Sequence, residues 1–500
     1  MTSTKIQPEL IQWRERIEGY ARDAGLDFYP VIFEVLDWKQ MNMVASYGGF
    51  PNRYPHWRFG MEYEQLAKSY GYGLSKIYEM VINNDPCYAY LLHSNNLVDQ
   101  KLVMAHVYGH CDFFKNNVYF GHTSRKMMDE MANHKTKIKR YIDRFGLDAV
   151  EKFLDVCLSV ENLIDHHGTF IKRRREHEEV LLDDEDEEKI QVVTKLKSKD
   201  YMDKYINPRE FLDAQKKKIK DEKDQERKFP ENPERDILLF LLEYSPLDPW
   251  KRDILSMIRE EAYYFLPQMQ TKIMNEGWAS YWHSTIMTTK ALTPDEVIDY
   301  ADHHSGTLAP YSGRLNPYKL GIELFRDIEE RWNKGKFGKD YDECEDMVEK
   351  KRWNRNLGLG RQKIFEVRKL YNDLTFIDTF LTPEFCAEHK YFTYDFNKNN
   401  NTYEIASRQF KKIKERFLFT LTNAGQPILA VTEANYRNRG ELYITHQHEG
   451  VDLKLDWLQE VLKSLYELWT RPVFVDTKVE GVGKIFSFDG TEQQEIRKEG

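Results

Sequence analysis

Nothing in this sequence is long and apolar enough to cross a bilayer. No run of about 18 or more apolar residues occurs, so no spanning helix is expected. Met1 to Gln12 has no apolar stretch behind a basic start, and no secretory signal is expected there. Cysteine is scarce: the five (Cys87, Cys111, Cys157, Cys344 and Cys386) are widely spaced and never form a CxxC pair. That pattern speaks against a disulfide framework and fits reduced thiols, hence a cytoplasmic protein. An excess of positive charge is missing too, because the formal net charge is −9, which argues against a general nucleic-acid binder. Also absent are a Walker-type phosphate loop, a dinucleotide GxGxxG behind a strand and a GxSxG elbow. The segment Asn356 to Arg361 has two glycines but no following Lys-Ser/Thr. Nucleotide chemistry has no support.

What is present is ample material for a packed interior. Hydrophobic residues make up 41%, aromatics 14% and charged residues 31%, unlike a disordered chain. Five hundred residues exceed what one core usually holds, so two or three domains are expected. Residues 1–175 read as helices separated by short aromatic loops. Ile11, Trp13, Ile17 and Tyr20 already follow helical spacing. Residues 176–234 read as a charged insertion or linker, with the acidic block Asp183 to Glu188 and a Lys-rich mixed run from Asp213 to Lys228. Residues 235–390 form a second helical part. Residues 391–500 read as a small α+β domain with strands at Phe417–Thr422, Ile428–Thr432, Leu442–Thr445 and Val473–Val475. Its helix, Leu455–Thr470, is expected to bury Trp457, Leu458, Val461, Leu462, Leu465 and Leu468. The expected fold class is therefore mainly α and multi-helix, with a charged insertion and a small C-terminal α+β domain; a zincin-like core is one form the helical part could take.

The strongest chemical signal is Ala105-His-Val-Tyr-Gly-His110. Residues four apart on a helix share a face, about 5–6 Å apart at Cβ, so His106 and His110 can grip one metal ion, as the histidines of HExxH do. Val98 and Leu102 continue the same stripe and point it inward. The competing reading is a hydrogen-bonded histidine pair in a polar core. A second segment, Asn275-Glu-Gly-Trp-Ala-Ser-Tyr-Trp-His283, places Glu276 beside bulky Trp278 and Trp282. Burying that carboxylate is costly unless it ligates a metal or meets a cation. In gluzincin-type sites a Glu from a separate helix completes a His/His pair, and His106, His110 and Glu276 have those chemical types. Position 107 is Val, where HExxH enzymes carry their general base. A base would have to come from elsewhere, with His283 and Glu34 as candidates. The donor set suits zinc first, then iron or manganese. Lesser candidates are Asp165-His-His167 as an alternative third ligand, His304 lining a nearby site, an inert buried Cys111, and an exposed, unliganded pair at His446 and His448.

Five segments together resemble the SpoVR (stage V sporulation protein R) family. They are Tyr47 to Gly60, Val81 to Leu91, His106 to Asn117, Asn275 to His283, and Asn316 to Gly321. The resemblance runs in order from about Tyr29 to Thr470, and the motifs at His106/His110 and Glu276 fit the family pattern. It implies a role in bacterial sporulation, in spore cortex formation, or in the stress response of bacteria that make no spores. It also implies partners: a PrkA-like serine kinase and a von Willebrand A-like protein. Two functions follow as expectations, a metal-dependent hydrolase-like protein acting on cell-wall or peptide substrates, or a non-catalytic regulatory scaffold. Whether the chain is an enzyme is left open by its sequence.

Overall fold

The computed structural model describes residues 7–71, 79–171, 229–309, 315–397, 400 and 402–498. The acidic block and the Lys-rich run of the expected insertion lie outside the described residues. The chain forms two compact units, Met1–Glu151 with Glu260–Gln426, and Lys152–Arg259 with Pro427–Gly500. The fold is mainly helical, with a small sheet domain at the C-terminal end. Among the described residues no helix is long and apolar enough to cross a membrane, and all five cysteines are free thiols.

The first unit is organised around α4 (Leu97–Asn116). Asn96 caps it, its side chain accepting the Asp99 N–H at 2.7 Å. From Gln100 to Phe114 every residue is buried, as expected of a helix wrapped on all sides. On one side lies a three-stranded sheet that helical spacing alone does not predict: β1 (Val31–Leu36), β2 (Glu79–Ile82) and β3 (Cys87–Leu92), in the order β1-β3-β2. The strands β1 and β3 are parallel, and β2 is antiparallel to β3. Side chains alternate across a sheet, and both faces are filled here. Phe33, Val35, Ala89 and Leu91 join the core around α4, whereas Leu36, Ile82, Tyr90 and Leu92 pack with Met127 and Met131 from α5 (Met127–Phe145) and with Tyr264 from α8 (Pro249–Gln270).

Helix α4 also packs against α9 (Lys272–Ile286), which in turn packs against α11 (Pro317–Lys334). Asn316 and Pro317 start α11 and Gly335 ends it in the left-handed region at φ 71°, the usual division of labour between Pro at the start and Gly past the end. Between them α10 (Val297–Thr307) also meets α4. The segment Phe417–Thr422, expected as a strand, is the end of helix α14 (Phe410–Leu421). Its short β-branched and aromatic run is ambiguous between periods. What decides is Ile413, Phe417 and Leu421, four residues apart, which pack on the first unit's core.

The second unit carries a five-stranded sheet in the order β10-β9-β8-β7-β6, built from β6 (Ile428–Tyr436), β7 (Glu441–Gln447), β8 (Val473–Val479), β9 (Val482–Phe488) and β10 (Gln493–Arg497). The strands β7 and β8 are parallel and are joined by the crossover helix α15 (Leu455–Trp469). Leu458, Leu462, Leu465 and Leu468 are buried as expected, but Trp457 is 67% exposed, with the Lys454 ammonium over its ring. His446 is buried against Thr477, and His448, half-buried, pairs with Asp452 beyond the strand end; the two rings meet edge-on at 5.8 Å, so they form a pair but not the exposed one expected.

Candidate metal centre

Close helix contact positions this site. A Cβ on Gly109, between the two histidines of α4, would lie 2.7 Å from the Ala279 Cα of α9. A Cβ on Gly277 would lie 2.4 Å from the Gly321 backbone of α11. Only glycine allows both approaches, and together they bring Glu276, the neighbour of Gly277, against α4. Trp278 adds a tie by donating its indole N–H to Asp112 of α4 at 2.8 Å. The start of α9 is held by Asp373, which accepts the Ile273 and Met274 N–H groups at 2.8 and 2.9 Å.

Burial pushes the Asp373 carboxyl up to about 7, against the pull of those two N–H donors. A carboxyl whose pKa is raised on folding binds its proton more tightly in the folded state. Its contribution to stability is fully present below its ordinary pKa of 3.8 and is lost as pH rises through about 7. Asp373→Ala is therefore expected to cost about 1–2 kcal/mol as a lost cap. It should also flatten the decline of stability over that window, measured by denaturant unfolding at several pH values.

His106 Nε2 and His110 Nε2 each lie 3.5 Å from Glu276 Oε2, and the three ligand atoms fall within 4.8 Å of one another. Two ligands at zinc-like bond lengths in a tetrahedron sit about 3.4 Å apart, so the spacing fits a shared cation. It is too long for good hydrogen bonds, and Glu276 Oε2 is buried with no donor. The far side of each imidazole is engaged. His110 Nδ1 meets Asn275 Oδ1 at 2.9 Å. His106 Nδ1 meets His283 Nδ1 at 2.9 Å, and His283 Nε2 meets His304 Nδ1 at 3.1 Å. With Nδ1–H of His106 donating to His283, and Nε2–H of His283 donating to His304, the His106 Nε2 lone pair faces Glu276. The Asn275 carbonyl does the same for His110. This is how metal-binding imidazoles are oriented.

Charge states agree with that use. Burial, helped by the charge of His106, lowers the His110 pKa to about 4, with Glu276 and Asn275 opposing. Burial and the neighbouring His106, His304, His303 and Arg326 charges hold His283 well below its ordinary value. His304 falls to about 4 through burial, then Arg326 and His303. Burial alone would raise Glu276, but His106, His110 and Lys272 outweigh it and lower its pKa. A carboxylate beside a neutral imidazole is the state that metal binding requires.

The structure brings His106, His110, Glu276 and His283 together, with His283 behind His106. It does not bring Glu34 to them. Glu34 stands in register with Tyr90, and Tyr90 with Met80, on the sheet face turned away from α4. Glu79 is the carboxylate on the α4 face. It is in register with Leu91, itself opposite Val35, and the charges of His106, Glu276 and His303 all act on it. Burial and the nearby Glu276 raise its pKa, against His106 and His303. The available sequence signal was its place, two residues before Val81, on the buried side of an alternating strand. Asp165 to His167 belong to the second unit, and Cys111 is buried, with burial raising its thiol pKa.

A family model described as SpoVR like protein matches residues 5–426. The chain belongs to this family. The match ends where the first unit ends, so the five-stranded sheet of this SpoVR-like chain lies beyond it. The "Uncharacterized protein YcgB" of Escherichia coli (strain K12) is 29% identical over 494 residues, covering 93% of this chain and 91% of its own length. No solved structure matches.

Proposed function

We propose that this SpoVR-like chain is a metal-dependent hydrolase of cell-wall or peptide substrates, in which His106, His110 and Glu276 hold one divalent ion, zinc first and iron or manganese next. The observation that carries the reading is Glu276 Oε2, buried without a hydrogen-bond donor and 3.5 Å from both imidazole nitrogens. The pattern is that of a zincin-like core, with a His/His pair on one helix and a Glu from another. A bound ion would acidify a water to near pH 7 and polarise a carbonyl. Glu79, from the facing strand, takes the part of proton acceptor left empty by Val107. His283 orients His106, with both of its ring nitrogens engaged by His106 and His304. Roles in spore cortex formation or the stress response, and assembly with a PrkA-like kinase and a von Willebrand A-like protein, extend this proposal from the family resemblance.

The scaffold reading draws on the Asn275 and His283 hydrogen bonds, which satisfy one nitrogen of each imidazole without any metal. It leaves Glu276 unexplained. Metal content of protein purified without a histidine tag separates the two. One equivalent that disappears in a folded His110→Ala variant, with hydrolysis of peptide or peptidoglycan fragments stopped by a chelator and restored by zinc, is expected. A well-folded wild type with no metal at this site would leave the scaffold reading standing.

A further inference from the structure

A second mixed cluster lies where α5 meets α8. Glu130 and His134 are four residues apart on α5, so they share a face, and Glu260 comes from α8. Their ligand atoms fall within 4.8 Å of one another, and His134 Nε2 is 3.4 Å from Glu260 Oε2. His134 is buried, Glu130 half-buried and Glu260 exposed, so an imidazole forms the floor and carboxylates the rim. The other ring nitrogen is committed: His134 Nδ1 meets Glu261 Oε1 at 2.9 Å. Glu261 is 5% exposed and accepts from Arg53 Nη2 at 2.7 Å.

We propose that Glu130, His134 and Glu260 form a second divalent-cation site, independent of the one at His106, for a borderline ion such as zinc, manganese or iron. Its construction repeats that of the first centre. An i, i+4 pair on one helix is completed by a carboxylate from another, and the far nitrogen of the imidazole is anchored by a buried acceptor, which fixes the ring with Nε2 toward the rim. Arg53 neutralises the anchor Glu261, leaving Glu130 and Glu260 facing that nitrogen. The carboxylate-rich, half-open rim suits an ion that keeps water in its remaining positions. Filled, the site would cross-link α5 and α8 beside the sheet face packed by Met127, Met131 and Tyr264. The rival occupant is a proton, making His134 an imidazolium paired with Glu260 and Glu261, with Lys137 also acting on Glu260.

The test uses the full-length chain carrying His106→Ala and His110→Ala, stripped with chelator and titrated with Co2+ while its visible absorption is followed. One saturable equivalent is expected, displaced by Zn2+, and abolished by adding His134→Gln. Glu261→Gln should weaken it by about 10–100-fold. No saturable binding, or binding unchanged by His134→Gln, overturns the proposal in favour of the ion pair. Should the double variant lose its circular-dichroism signature, the comparison is wild type against His134→Gln alone. A fall of one equivalent supports the site and no change removes it. Failure at His106 is read separately, because it removes a different equivalent.

Discussion

Glu79→Gln is expected to bind metal like the wild type and to lose turnover by about 10²–10⁴-fold, the usual worth of a positioned general base. The face of the sheet that each side chain occupies sets this difference. Glu79 shares its face with Leu91 and Val35, against the helix that carries both imidazoles, and Glutamine keeps the shape while removing the proton acceptor. Three controls give the result its meaning. His106→Ala should lose metal affinity by more than about 100-fold, since even outer-shell changes cost 10–100-fold. Glu34→Gln should change nothing in turnover, because Glu34 faces the other way. The Asn275→Ala variant, which removes the partner of His110 Nδ1, should weaken metal binding by about 10–100-fold. Retained turnover in Glu79→Gln would remove Glu79 from the mechanism, whatever the metal content.

Replacing one glycine by alanine should damage the fold itself. Gly277→Ala would put its new carbon 2.4 Å from the Gly321 backbone, where carbon atoms normally rest about 3.5–4.0 Å apart. Backbone on both sides cannot rotate out of the way as a side chain can, so α9 and α11 must separate. The expected loss is about 3 kcal/mol, at the upper end of overpacking effects. It should appear as a lower denaturant midpoint with little change in m. Glu276 is the adjacent residue, so metal affinity should fall with stability. Gly60→Ala is the matched control: it is helical, its Cβ would meet nothing within 4 Å, and its substitution should be neutral or stabilising by up to about 1 kcal/mol. Equal effects at both positions would dismiss the close approach as the cause.

Helix α4 was legible because its evidence is local. A 3.6-residue period puts His106 and His110 on one side, and the apolar residues before them turn that side inward. The period of α15 is equally local, yet Trp457 at the edge of its stripe is exposed, because a stripe edge is defined only by what packs on it. Phe417–Thr422 was misread for a related reason, as a short apolar run satisfies both periods until a partner surface chooses one. The three strands of the first unit are hidden in the sequence because each is only four to six residues long and apolar residues occupy both faces, which leaves little alternation to read.

Chain-local spacing thus decided which side chains could act as ligands: two imidazoles in one helical turn and a carboxylate among tryptophans. Their meeting was decided elsewhere, at Gly109 against Ala279 and Gly277 against Gly321, contacts between segments some 170 and 44 residues apart in the chain. The choice of base was likewise a matter of sheet register, with Glu79 on the near face and Glu34 on the far one. Periodicity orients a side chain relative to its own element. Only packing between elements decides what that side chain then faces.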